Sequence, residues 1–401
     1  MKKNIWGTFV ICLVIILTSN ILNCNLIDPL KFKAIRFPIV AVLIAAILIK
    51  KKDLNTQKMF LKKDIKWLMI VPCFSWISAA IVWGQSPIFS FVCCIYIYIL
   101  FLYFFCFVYR IPVYTIIKIF SIFTLIVFVI QIYDQFITTP PFLFGGMEGE
   151  SGWIKRGFVY RITILINIST FILFYYYEKL LRGENKYISL LFVIVCLMLT
   201  YFSCTRQIIV STFVALVYMS FVNMRHRRTV IVFGVMIILL LQYGGTLFED
   251  LIELSQHQKE DGSFGGRNDS YIFYIDKIFT EPLTFLFGSG NAYDGDYGRQ
   301  MAQWTDVKKY IIVDIGHIGQ FFLYGIGYII IYFYMQYKLM VKYRKFLPSY
   351  IYAYLIFINI IGFMIAPLAR MQQVCSFALI MYIIDRKLAQ ANSSAIKRIT
   401  R

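Results

Sequence analysis

Charge is scarce in this 401-residue chain: Asp, Glu, Lys and Arg together make 15% of it, against about 25% in an average soluble domain. Apolar residues reach 60%, which excludes a soluble globular enzyme and a disordered regulator. Histidine occurs only three times, and the nine cysteines form no CxxC pair. Structural zinc and a disulfide framework are excluded with them, and the cysteines, mostly inside apolar runs, read as small apolar fillers. The polar segments contain no P-loop, no HExxH and no GxSxG, so nucleotide hydrolysis, zinc proteolysis and serine-hydrolase chemistry lose their usual sequence signs. Asp294-Gly295-Asp296 imitates a metal motif of nucleotide-sugar enzymes, but so short a match arises by chance. No cofactor is expected.

What the chain has instead is hydrophobic length. Apolar stretches recur from end to end, 18% of residues are aromatic, and the pattern is that of a polytopic membrane protein. Twelve runs are counted: Ile5–Leu22, Phe37–Ile49, Trp67–Trp83, Ile88–Val108, Ile119–Ile137, Ile162–Tyr177, Tyr187–Phe202, Ile208–Val222, Thr229–Tyr243, Ile311–Tyr334, Leu347–Ala366 and Met371–Ile384. The expected fold is all-α, a single helical domain over residues 1–401 with about twelve transmembrane helices. The first run follows Met1-Lys2-Lys3 without a small-residue cleavage site, so it reads as a retained signal anchor.

The net charge of +19 in a soluble chain would suggest nucleic acid. Here alternate connections sort it. One set of loops and both termini hold 26 of the 40 basic residues and five of the 21 acidic ones. The other set keeps 14 and 16. Cytoplasmic loops collect Lys and Arg, so both termini are expected in the cytoplasm, lipid is the expected surroundings and nucleic acid is not a partner. Length then accumulates outside, in loops at 134–157 and 244–310, and long loops usually work as lids or binding elements.

Candidate chemistry clusters at those outward positions. Tyr187–Phe202 and Ile208–Val222 are short for spans and flank Ser203-Cys204-Thr205-Arg206-Gln207, which would sink Arg206 below the lipid surface. Arg370, after Pro367 and before another short run, is placed in the same way. Cations at membrane depth usually face a cavity or a partner, although either arginine could instead snorkel to the headgroups. Lys155, Arg156 and Arg161 form a basic cluster at the mouth of the sixth run, where lipid anchoring is the competing explanation. In the large loop, Gly265-Gly266-Arg267 precedes a short interfacial helix expected over Tyr271–Thr280, with Asp269 or Ser270 as N-cap and Glu281-Pro282 as its stop. A glycine turn, an arginine and a helix N-terminus together would suit phosphate. His317 alone among the histidines lies within an apolar run, near Asp314. It is a candidate general base, against the commoner role of a packed, hydrogen-bonded imidazole.

Ser203-Cys204-Thr205-Arg206 between two spans, then Gly266-Arg267, an amphipathic segment, Gly288-x-Gly290, Asp314-x-Gly316 and Gly325-x-Gly327 resemble the bacterial O-antigen and capsular polysaccharide repeat-unit polymerases. The likeness covers the topology of the whole chain and roughly 130 residues of motif. Sister O-antigen ligases follow the late-span His with Asn, Gln or Ser, whereas Ile318 follows His317 here. The resemblance implies a metal-independent glycosyltransferase of the bacterial inner membrane. It would join polyprenyl-pyrophosphate-linked oligosaccharide units, with a separate chain-length regulator as a further partner. It implies pyrophosphate binding by Arg156, Arg161, Arg206, Arg267 and Arg370, with Asp314 or His317 as base and Arg206 and Arg267 assisting catalysis. A ligase and a lipid-linked oligosaccharide flippase are the alternatives.

Overall fold

A computed structural model describes residues 5–19, 29–50, 57–137, 155–156, 159–223, 263–293 and 295–399. The chain is helical nearly throughout them: α1 Ile5–Thr18, α2 Pro29–Ile49, α3 Lys62–Trp83, α4 Pro87–Val108 with a 3₁₀ centre at Ile95–Leu100, α5 Val113–Phe136, α6 Ile166–Arg182, α7 Lys186–Phe202, α8 Arg206–Val222, α9 Ser263–Thr280, α10 Pro282–Phe287, α11 Gly295–Ala302, α12 Gly316–Tyr337, α13 Ser349–Gly362 and α14 Met371–Ile399. A two-residue ladder is the exception, β1 Lys155–Arg156 against β2 Val159–Tyr160, antiparallel with Lys155 opposite Tyr160. The contacts gather the chain into two compact units.

The helices start and stop where local chemistry requires. Gly84 and Gly183 cap α3 and α6 in the left-handed conformation, donating backwards to Ala79 and to Leu180, as helix C-termini commonly do. Pro282 forces Glu281 into an extended conformation, so α9 ends at Thr280, as its sequence predicts. Proline then opens α10, where its missing N–H costs nothing.

Length and composition differ from twelve full spans. Among the described residues, four helical stretches are long and apolar enough to cross a membrane by length and composition alone: α3, α4, α5 and Ile312–Lys342, the last of which is broken at Gly325. Five apolar helical segments are shorter: Ile5–Thr18, Phe37–Ile49, α7, α8 and α13. The ninth run, Thr229–Tyr243, lies outside the described residues. The sixth run begins only at Ile166, because Arg161 to Leu165 is extended or turning, and α6 carries Glu178, Lys179 and Arg182 to its end. The last run is not a short segment but the start of a 29-residue helix.

The first unit comprises residues 1–39, 106–252 and 347–358. Its centre is aromatic: Phe171 of α6 meets Tyr350 and Tyr354 edge-on, and Phe174 meets Phe357. Buried Glu178 accepts from the Tyr350 N–H at 2.7 Å and the Ser349 hydroxyl at 2.6 Å, and pairs with Arg182. A carboxylate taken from water requires such partners.

The second unit comprises residues 40–105, 253–346 and 359–401. Asp385 fastens it: its carboxylate takes the N–H groups of Phe60 and Leu61 at 3.0 and 2.8 Å and the Tyr103 hydroxyl at 2.6 Å. Asp64 and Lys338 form an ion pair at 2.6 Å between α3 and the end of α12, both side chains largely buried.

The run expected as one span at Ile311–Tyr334 is folded back on itself. Gly325 interrupts α12 with φ 71° and ψ −174°, a region essentially open to glycine only. In a straight helix, residues 317 and 332 would stand about 22 Å apart. Instead the His317 ring lies 4.8 Å from the Tyr332 ring and 4.9 Å from that of Phe333. Residues 316–324 and 326–337 are therefore two half-helices turned against each other.

Candidate functional site

In the first unit, Arg206 opens α8. The chain turns through Cys204 in the left-handed conformation and Thr205 in an extended one. The Ser203 hydroxyl donates to the Thr200 carbonyl at 2.6 Å and the Thr205 hydroxyl to Ser203 at 2.8 Å. The helix begins two residues before the expected run, so the linker is only residues 203–205. At 17 residues each, α7 and α8 rise about 26 Å, less than a hydrocarbon core of about 30 Å.

Arg161 stands next to that turn along the backbone. The Ile162 N–H donates to the Phe202 carbonyl at 3.1 Å, which ties the segment carrying Arg161 to the helix end preceding Arg206. Gln135 of α5 fixes the same segment from the other side: its amide N–H donates to the Tyr160 carbonyl at 2.6 Å and its oxygen accepts the Tyr160 N–H at 2.8 Å. A side-chain amide thus replaces a neighbouring strand. Gln131, Asp134 and Gln135 share one buried face of α5, at the spacing that aligns residues on a helix. Arg161 and Arg206 are both half-buried. Arg156 is placed by its backbone, opposite Val159.

In the second unit, Arg267 does not sit in a glycine turn. Gly265, Gly266 and Arg267 belong to α9, whose helix begins at Ser263, so neither Asp269 nor Ser270 caps it and the expected phosphate-binding helix start is absent there. Packing explains the shift: Ser270, Tyr274 and Ile278 are fully buried at four-residue spacing, and a buried face outweighs the modest cost of two glycines in a helix. Tyr271 donates to the Phe363 carbonyl. Burial pushes its phenol above the ordinary tyrosine value, and the nearby Arg267 pulls it partly back.

Asp314 lies half-buried in a 3₁₀ turn at Ile312–Ile315, and its carboxylate has no hydrogen bond or ion pair among the described residues. Gly316 follows with φ 55°; a Cβ there would come within 2.2 Å of the Gly362 carbonyl oxygen. His317 is 5% exposed and enclosed by Tyr332, Phe333 and Phe363. Neither of its ring nitrogens has a hydrogen-bond partner, so Asp314 does not orient it. A Cβ on Gly362 would lie 2.5 Å from His317 Nε2. Arg370 is exposed just before α14, where the Gln373 side-chain oxygen accepts the N–H groups of Ala369 and Arg370 at 3.1 and 3.0 Å. The joints Tyr271–Phe363 and Gly316–Gly362 bring α9, the Asp314 turn and the 362–370 segment to one corner of the unit.

The glycines of the late motifs have a physical cause. Ser289 and Gly290 donate to the Phe322 and Leu323 carbonyls at 2.7 and 2.9 Å, satisfying the open end of the first half-helix. A Cβ on Gly288 would sit 2.3 Å from the Leu323 oxygen, and one on Gly325 2.4 Å from that of Leu286. Two strands of backbone meet there with no room for side chains.

A feature with no motif lies beside this joint. His317, Gln320, Tyr328, Tyr332 and Gln336 of α12 are all 5% exposed or less. Six of their polar atoms, both His317 nitrogens, Gln320 Oε1, the two tyrosine hydroxyls and Gln336 Nε2, have no hydrogen-bond partner. Each such group left dry costs about 1–3 kcal/mol. Its only sequence sign is the four-residue spacing from Gln320 to Gln336.

Among the described residues no group of His, Cys, Asp and Glu could hold a metal ion. No family model matches the chain, and no curated protein matches it.

Proposed function

We propose that the protein is a polysaccharide polymerase of a bacterial cytoplasmic membrane. It joins polyprenyl-pyrophosphate-linked oligosaccharide repeat units at the outer face, with both termini inside. The observation that carries this is the junction at Ile162 and Phe202, which sets two half-buried arginines, Arg161 and Arg206, on adjoining segments. Guanidinium forks match phosphate oxygens in pairs, and such cations within an apolar protein ordinarily serve a ligand.

In the reaction a hydroxyl of the incoming unit attacks the first carbon of the growing glycan. The bond from that carbon to the pyrophosphate oxygen breaks, and the pyrophosphate leaves with the electron pair. Arg161 and Arg206 stabilise the charge that develops there, the main catalytic need of such a step. The hydroxyl proton goes to a base; of the two candidates in the second unit, Asp314 is half-exposed and His317 enclosed, so Asp314 is the more accessible. Arg267, exposed Arg370 and Arg156 remain further candidates for phosphate contact.

The broken helix α12 favours one second reading, a transporter of lipid-linked oligosaccharide. Discontinuous helices with polar interiors are the usual place where transporters bind their cargo. Deletion of the gene, with surface glycans resolved on a gel, separates these. A ladder that collapses to one attached repeat unit supports the polymerase. Loss of all attached repeats with lipid-linked material outside indicates a ligase, accumulation on the cytoplasmic side indicates a transporter, and an unchanged ladder overturns all three.

A further inference from the structure

The polar face of α12 extends beyond the candidate phosphate chemistry. It starts at His317 and continues to Tyr332, whose ring is 4.8 Å away. The Gln336 amide lies beside the Tyr332 hydroxyl without closing a hydrogen bond. Gln336 Oε1 accepts from the Asn359 amide at 3.0 Å. In the other direction Tyr332 stacks on Tyr328 at 5.8 Å, and Tyr328 adjoins Tyr324, whose hydroxyl is bonded to those of Tyr96 and to the Asn291 amide at 2.8 Å each.

The chemistry of this face restricts what can satisfy it. It has hydroxyls, amides and one imidazole, with no carboxylate and no fixed cation among the orphaned groups, so neither an anion nor a metal ion is suited to it. Near-complete enclosure leaves no access for a sugar. Water fits, because it donates and accepts, and buried waters typically make about three hydrogen bonds to otherwise orphaned polar groups.

We propose that this face holds a file of internal water running from His317 past Tyr332 to Gln336, a proton path to the enclosed imidazole within the second unit. Each hop breaks one O–H or N–H bond as the next forms, so a proton moves with no change of oxidation state. Histidine is one of the ionisable residues from which proton relays inside membrane proteins are built. The inference is independent of the glycan reading, and neither depends on the other's success.

Hydroxyl-radical footprinting by X-ray radiolysis of the full chain in lipid nanodiscs tests it, because radicals form from water in contact with the side chain. Tyr103 and Tyr324 are internal controls, as deeply buried but with their hydroxyls bonded to protein. Tyr328 and Tyr332 should be labelled roughly tenfold faster than those controls if water is bound beside them. Rates equal to the controls overturn the file. Gln336→Leu should reduce labelling at Tyr332 by interrupting it, and unchanged labelling there overturns the file at its Gln336 end. Gln336→Glu, which keeps a polar partner, should retain the label.

Discussion

Arg206 tests the phosphate chemistry directly. Arg206→Lys keeps the charge but loses the fork, so polymer formation by membranes carrying it should fall about 100-fold, while expression and membrane insertion persist. Unaltered product length in that variant would remove Arg206 from the reaction. Gln135 acts one step away, through the backbone of Tyr160. Gln135→Leu removes both hydrogen bonds to the half-buried Tyr160 backbone, a loss of about 1–3 kcal/mol. A melting curve should show that loss, and Gln135→Glu, which can still accept from Tyr160, should recover part of it. Gly362 reports on the His317 enclosure: Gly362→Ala drives a methyl group to within 2.5 Å of Nε2 and should destabilise the protein by about 1–3 kcal/mol, seen as a lowered melting temperature. Arg206 was legible in the sequence, since an arginine between two short apolar runs is conspicuous. Gln135 was not, because a side-chain amide that substitutes for a strand has no local pattern.

Among the elements, α12 departs furthest from its sequence. Hydropathy reports how apolar a stretch is and carries no information on its direction, so a hairpin of two half-helices and one straight span look alike. Gly325 was visible as part of a motif, but the reversal depends on Leu286 and Gly288 arriving from another segment. The two glycines of that motif should therefore behave differently. Gly325→Ala forces a Cβ into a glycine-only conformation, worth about 1–3 kcal/mol, and against the Leu286 oxygen at 2.4 Å. Gly327→Ala meets only Val71 methyl groups at 3.6 Å and beyond, an ordinary contact, and should be tolerated. Comparable thermal stability in the two variants would contradict the reversed half-helices. Helix α9 shows the converse: Glu281-Pro282 marks its end at Thr280, but Asp269 and Ser270 do not mark its start, which lies at Ser263. Capping residues signal a helix start only where the face behind them is not already buried, and Ser270 and Tyr274 are buried.

At the scale of the whole molecule, the sorting of charge between alternate connections remains the basis of the proposed orientation. Alkaline phosphatase fused after Gly183 or after the C-terminus should be inactive, and fused near Gly295 active, in a bacterial host. Activity at the first two positions would invert the topology and move the candidate site to the cytoplasm. Composition alone determined that the chain is helical and apolar, because 60% apolar residues in long runs leave the backbone only its own carbonyls to bond with. The close-packed glycines at 288, 316 and 325 were also written there, since no other residue fits where two backbones touch. Tertiary structure decided which runs become full-length helices, that the tenth reverses at Gly325, that Gln135 holds the strand before Arg161, and that five polar side chains of α12 face inward. These depend on contacts between residues far apart in the chain, and hydropathy, which sums over neighbours, carries no record of them.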